Sequence, residues 1–96
     1  MKKYEIMFIV KPDLEEAKIK EVAASMKKNL EDNGAKVVDE KDMGQRELAY
    51  EIKKYNNGYY FLFVIETENN TATSEFDRLA LINEDIIRHL IIRVEE

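Results

Sequence analysis

The sequence predicts one α+β domain built as a split β-α-β unit, with a four-stranded antiparallel sheet and two helices on one face. First, four segments rich in β-branched and aromatic residues alternate with two segments of helical periodicity, in the order β-α-β-β-α-β. Second, the 96 residues are 45% apolar and 36% charged, a mixture typical of a globular chain and too short for two cores. The predicted domain spans residues 1–96.

The first three predicted strands are runs of β-branched and aromatic residues. Residues 4–10 are apolar at almost every position, and residues 35–53 alternate more weakly around a predicted bulge at Gly44. Residues 59–65 follow the dipeptide Asn57-Gly58, which favours the positive φ angles of a tight turn. The second and third strands are therefore predicted to form a hairpin that turns at Asn57-Gly58.

The two predicted helices are indicated by their ends and by their apolar spacing. Asp13 and Glu16 have the spacing of a capping box, and Gly34 stands where a left-handed residue ends a helix. Thr73 is placed to cap a second helix, which ends at Asn83. The apolar residues at helical spacing in the first helix are Ile19, Val22, Ala23, Met26 and Leu30.

Residues 86–94 are the last predicted strand, and side-chain alternation then divides the sheet between two faces. The face predicted to lie under the helices carries Ile6, Phe8, Tyr59, Phe61, Phe63, Leu90 and Ile92. The opposite face is predicted to carry Met7, Ile9, Tyr60, Leu62, Val64 and Ile91. This second set is a larger apolar surface than a monomer normally exposes, so it predicts a partner surface. Self-association and shielding by a loop stay open as alternatives.

Several classes of site are excluded by composition. The chain has no Cys, which rules out disulfides and thiolate metal sites, and His89 is its only histidine. Its three glycines form no phosphate-binding motif, and no apolar run approaches the roughly 20 residues of a membrane span. An acyl-phosphate hydrolase would need an Arg in the loop around Lys11-Pro12-Asp13, which has none. We therefore expect a non-enzymatic cytoplasmic protein without a metal, a cofactor or a membrane partner.

Charge favours local rather than general contact with nucleic acid. Fifteen Lys and Arg residues are outnumbered by 20 Asp and Glu residues, and the net charge of −5 argues against binding RNA with the whole surface. Basic residues near strand ends are candidates to neutralise phosphates, with solubility as the alternative role. They are Lys2, Lys3, Arg46, Lys53, Lys54, Arg88 and Arg93. The aromatic signature of an RNA-recognition motif is met only in part, since Asn57 and Tyr60 replace its basic and small residues.

The string G-x-R-x-L-A-Y-x-I runs from Gly44 to Ile52 and combines a bend, a basic residue and alternating apolar positions. Other motifs accompany it at Tyr4-Glu5, Asn33-Gly34-Ala35, Lys54 and Gly58-Tyr59. With these motifs the chain closely resembles the bacterial small-subunit ribosomal protein S-six family, over nearly its whole length. The resemblance implies a ferredoxin-like fold and assembly into the small ribosomal subunit.

The resemblance also implies partners and site residues. It implies joint binding with ribosomal protein S-eighteen to the central domain of 16S ribosomal RNA, with RNA contacts that include Arg46 and Arg88. The predicted partner interface is Met7, Ile9, Leu48, Tyr50, Tyr60, Leu62, Val64 and Ile91. Weak self-association of the isolated chain stays open, and a metabolite-binding regulatory domain is the alternative function.

Overall fold

The computed structural model describes residues 1–94, so Glu95 and Glu96 of the predicted domain lie outside the described residues. The elements follow the predicted order as β1 (Lys2–Val10), α1 (Glu16–Asp32), β2 (Lys36–Ile52), β3 (Tyr55–Thr67), α2 (Thr71–Ile82) and β4 (Ile86–Val94). The strands lie side by side in the order β2-β3-β1-β4, and every neighbouring pair is antiparallel. The predicted fold class is confirmed.

The core lies between the two helices and one face of the sheet, which we call the helix face. Phe8 stands at its centre, with ring centroids 5.3 Å from those of Phe61 and Phe63 and 5.7 Å from that of Phe76 on α2. Ile6, at 0% exposure, joins the same cluster as the apolar side of α1. The predicted inward positions on β1 and β3 are therefore confirmed, including half-buried Tyr59, which packs against this cluster.

The predicted alternation of β4 is wrong. Ile6 pairs with Ile91 and Met7 pairs with Leu90, and residues directly opposite each other share a face of the sheet. Ile91 therefore packs against the helix-face cluster, whereas Leu90 and Ile92 lie on the opposite face.

A β-bulge explains this reversal. Ile9 pairs with Arg88 but Val10 pairs with Ile86, so Ile87 is an extra residue without an opposite partner on β1. A bulge of one residue inverts the alternation beyond it. Because every position around it is apolar or amphipathic, hydropathy alone gives no sign of the inversion.

The helix ends only partly follow the predicted caps. The predicted capping box is wrong, since α1 begins at Glu16 after an N-cap at Glu15 without a side-chain cap. Thr73 is likewise not the N-cap of α2, whose N-cap is Asn70. At the other end of α1, the prediction for Gly34 is confirmed, because its φ is 91° and its N–H donates to the Glu31 carbonyl at 3.1 Å.

The hairpin between β2 and β3 is confirmed, but its predicted turn is wrong. Lys53 and Lys54 form the two-residue turn with φ angles of 49° and 72°, the signs that a type I′ turn requires. Gly58 instead lies within β3, opposite Arg46. It is needed for space, since a Cβ at this position would overlap the Cγ2 atom of Ile9.

The predicted bulge at Gly44 is confirmed. The β2–β3 register shifts between Asp42 and Gly44, and Gly44 has a φ of 74°. Asp42 stabilises the bulge by accepting hydrogen bonds from the Gly44 N–H at 3.0 Å and from the Tyr59 hydroxyl at 3.2 Å. Burial raises the pKa of Tyr59, and the hydrogen bond to the Asp42 carboxylate raises it further.

Candidate functional site

The face of the sheet opposite the helices, which we call the open face, carries an apolar strip across three strands. Met7 on β1 pairs with Leu62 on β3 and with Leu90 on β4, so these three side chains lie side by side. Residues two positions before and after them in the same strands share the open face. The apolar members of this strip are Met7, Tyr60, Leu62, Val64, Leu90 and Ile92.

The strip is only partly covered by the chain itself. Leu90 and Ile92 are 47% and 49% exposed, and Met7, Leu62 and Val64 are half-buried. Two of these five residues, Leu90 and Ile92, were missed as open-face residues by sequence reasoning. The signal that would have found them is their register with β1, which follows only from the bulge at Ile87.

One end of the open face is covered by the end of the β2–β3 hairpin. Ile9, Leu48 and Ile87 form a second buried cluster there, with exposures of 5%, 8% and 5%. Ile52, Tyr55 and Tyr60 pack against this cluster. Ile9 and Leu48 were predicted to face a partner, but the structure buries them within the chain.

Polar contacts hold the end of the hairpin in this position. The Tyr55 hydroxyl donates to Asp13 Oδ2 at 3.3 Å, and Arg88 Nη1 on β4 donates to the Tyr50 hydroxyl on β2. Two strands, β3 and β1, separate β2 from β4 in the sheet. The Tyr50–Arg88 contact therefore shows that the hairpin crosses the open face. The Arg88 guanidinium carbon also lies 5.9 Å from the Tyr50 ring centroid, within cation–π range.

A shallow depression of about 250 Å³ lies between the covered end and the apolar strip. Its lining includes Met7, Tyr60 and Leu90, with Tyr50 and Arg88 at its polar side. Small-molecule sites usually enclose about 300–1,000 Å³ and surround most of their ligand. The depression is smaller and more open than that, so it extends a flat docking face rather than forming a pocket for a metabolite.

The predicted basic residues do not form one patch. Lys2, Lys3 and Arg93 lie at the end of the sheet where β1 begins, because Arg93 pairs with Tyr4 and Lys3 pairs with Val94. At the opposite end lie Arg46, Lys53, Lys54 and Arg88. About six strand residues, roughly 20 Å, separate the two groups. The structure thus gives two basic groups on either side of the apolar strip.

The histidine and the acidic side chains form no metal site in the part of the chain that the structure describes. His89 lies on the helix face, where its Nε2 is 2.7 Å from Asp77 Oδ1 and its ring is 6.2 Å from that of Phe76. Among residues 1–94, no cluster of three His, Asp or Glu side chains could hold a metal ion. With 17 and 12 residues, α1 and α2 are both too short to cross a membrane.

The antiparallel sheet of four strands with two helices on one face is a ferredoxin-like fold. The family model described as "Ribosomal protein S6" matches residues 3–93. This chain therefore belongs to the ribosomal protein S6 family. A crystal structure of the 30S ribosomal protein S6 from Thermotoga maritima superposes on it with a TM-score of 0.93 and 30% sequence identity, covering 97% of this chain and 87% of that one.

Membership in this family confirms the expected class of function. Proteins of the family are structural components of the small subunit of the cytoplasmic bacterial ribosome and are not enzymes. As a protein of that subunit, the chain is part of a ribonucleoprotein and associates with ribosomal RNA.

Proposed function

We propose that the open face docks ribosomal protein S-eighteen and that the two proteins together bind the central domain of 16S ribosomal RNA. The observation that carries this proposal is the apolar strip, which neither helix covers and whose outer members Leu90 and Ile92 are about half exposed. Burying such a strip against another protein removes apolar area from water, and this is the main driving force of association.

The net charge of the chain fits a protein partner that is basic. The strip itself is bordered by both signs of charge, since Glu5 lies between Val64 and Ile92 whereas Lys41 pairs with Leu62. The whole chain carries a net charge of −5. A basic partner would therefore be attracted to this chain and would also supply most of the attraction to RNA.

The two basic groups are the proposed RNA contacts of this chain. Lys2, Lys3 and Arg93 at one end, and Arg46, Lys53, Lys54 and Arg88 at the other, are seven candidate residues. Because they are split between two ends of the sheet, each group alone would neutralise only a few phosphates. The chain alone should therefore bind RNA weakly, and the pair should bind it cooperatively.

A salt-dependent titration tests this proposal. A central-domain 16S RNA fragment is titrated with this protein, with purified S-eighteen, and with both. We expect tight binding only with both proteins, and a steeper dependence on salt than for this chain alone, because each neutralised phosphate releases counterions. Equally tight RNA binding by this chain alone would contradict the cooperative account, and negligible binding in every arm would remove the assigned RNA partner.

A charge placed in the apolar strip tests the docking face separately. Leu62→Glu would place a charged carboxylate, with Lys41 opposite it on β2, where the interface needs an apolar contact. This change should weaken S-eighteen docking by about 2 kcal/mol, or roughly thirtyfold in Kd. Ile82→Glu is the matched control, since Ile82 is an aliphatic residue on α2 that is 65% exposed and lies outside the strip. Normal docking by a folded Leu62→Glu protein would rule out the assigned face.

A further inference from the structure

Two arginines of the chain are held by partners of different charge. Arg78 donates to the Glu75 carboxylate at 2.6 Å, and this ion pair compensates its positive charge. Arg88 is held by Tyr50, whose hydroxyl accepts from Nη1 and whose ring centroid lies 5.9 Å from the guanidinium carbon. Because an uncharged phenol makes both of these contacts, they fix the Arg88 side chain and leave its charge available to an anion.

A wide bulge in β2 brings Tyr50 to Arg88. The β2–β3 register shifts between Glu47 and Ile52, so that residues 48–51 of β2 lie opposite a single residue of β3. A bulge bends a strand and redirects its side chains. Tyr50 thereby reaches across β3 and β1 to contact Arg88 on β4.

The turn that follows this bulge adds a second positive charge. Lys53 is the first residue of the turn, with a φ of 49°. Together with Arg88 it lines a second shallow depression, of about 280 Å³, which Ile86, Ile87 and Leu81 also line. None of the described residues that line this depression is acidic. A basic side chain from the hairpin and one from β4 therefore border the same depression.

We propose that Arg88 and Lys53 form one phosphate-binding site, in which Tyr50 is the positioning residue of Arg88. The guanidinium has five N–H donors, so several stay available for phosphate oxygens while one bonds Tyr50, and Lys53 supplies a second charge. The assigned ligand is a backbone phosphate of RNA, and this assignment rests on the proposed function.

Tyr50 assists binding because it restricts Arg88 before the ligand arrives. A long side chain loses rotamer freedom when it binds, and the contact with Tyr50 has already removed part of that freedom. Since the hairpin supplies both Tyr50 and Lys53, the site is complete only while the hairpin lies across the open face.

Inorganic phosphate tests the site in the isolated chain. In an NMR titration, the Arg88 Nε–H and Lys53 Cε–H signals should shift along one binding curve, whereas the Arg78 Nε–H signal should not shift. Sodium chloride at equal ionic strength controls for general screening. Tyr50→Phe keeps the ring but removes the hydroxyl, and it should weaken phosphate binding about threefold. Unchanged signals, or different binding curves for Arg88 and Lys53, would overturn the proposed site.

RNA binding together with S-eighteen tests the ligand. Arg88→Gln should weaken binding of the central-domain fragment about tenfold and lower the slope of its salt dependence by about one, because a phosphate contact is lost. Tyr50→Phe should weaken it about threefold in the wild-type protein and have no further effect in the Arg88→Gln variant. Arg78→Gln is the matched control and should leave RNA binding unchanged.

The two titrations distinguish the site from its ligand. Phosphate binding by Arg88 and Lys53 without any effect of Arg88→Gln on RNA affinity would assign the site to free phosphate and overturn RNA as its ligand. A wild-type pair of proteins that does not bind RNA would contradict the proposed function itself. Equal effects of Tyr50→Phe with and without Arg88→Gln would overturn the positioning role, as would a loss of S-eighteen docking by Tyr50→Phe in the absence of RNA.

Discussion

The two faces of the sheet are built from similar apolar residues but have different roles. On the helix face, Phe8 and Ile6 are completely buried by contacts within the chain. On the open face, the neighbouring Met7 is half-buried, and Leu90 beside it is 47% exposed. Because neighbouring residues in a strand point to opposite faces, a single strand supplies both the core and the candidate interface. Residues on the helix face thus stabilise the fold, whereas residues on the open face are available for binding.

Replacing Phe8 and Met7 in turn should give the largest difference in stability loss between a helix-face residue and an open-face residue. Phe8→Ala removes the ring that contacts three other phenylalanines, and it should lower the free energy of unfolding by about 3–5 kcal/mol. Met7→Ala should cost much less stability, because its side chain is already partly in water. Chemical denaturation of both variants measures the difference, and equal losses would show that the open face is as important to the fold as the helix face.

The covered end of the open face should be destabilised by overpacking, as a buried core is. Gly58→Ala places a methyl group against Ile9 Cγ2 and should destabilise the protein by about 1–3 kcal/mol through overpacking. In a double-mutant cycle, Ile9→Ala should relieve part of this cost, because it removes the overlapping atom. Gly34→Ala is the control, since its strain comes from a φ of 91° and Ile9→Ala should not relieve it. Additive losses for Gly58→Ala and Ile9→Ala would contradict the packing assigned to Gly58.

The smallest effect is expected at an exposed ion pair outside both faces. The hydrogen bond from Arg78, at 2.6 Å, holds the pKa of the Glu75 carboxyl below its ordinary value. The pair therefore stabilises the folded chain above the ordinary pKa of Glu, and this contribution is lost as the pH falls through the lowered value. In an NMR titration, Arg78→Gln should raise the pKa of Glu75 towards the ordinary value. An unchanged Glu75 titration in that variant would show that the pair is not formed in solution.

Local signals predicted the elements, and the features they missed depend on contacts between distant residues. Gly34 and the bounds of β4 follow from neighbouring residues, so the sequence was sufficient for both. The face on which Ile91 lies depends on a bulge at Ile87, which exists only because β4 pairs with β1. The turn at Lys53 and Lys54 also depends on distant contacts, since pairing of β2 with β3 places it before the more typical turn sequence Asn57-Gly58.

The candidate site was predicted less completely than the fold for the same reason. Tyr60, Leu62 and Val64 follow from simple alternation in β3 and were placed on the correct face. The burial of Ile9 and Leu48 could not be predicted, because it results from the hairpin crossing the open face. Alternation also assigned the wrong face to Leu90, and so missed one of the most exposed residues of the strip.

Mapping which side chains a partner covers tests the central claim most directly. A water-soluble paramagnetic probe broadens the NMR signals of exposed methyl groups, and S-eighteen should protect those that it covers. If the open face is the docking surface, Leu62, Leu90 and Ile92 become protected on binding, whereas Leu81 and Ile82 on α2 stay accessible to the probe. Protection of Leu81 and Ile82 with unchanged accessibility of Leu62, Leu90 and Ile92 would contradict the account.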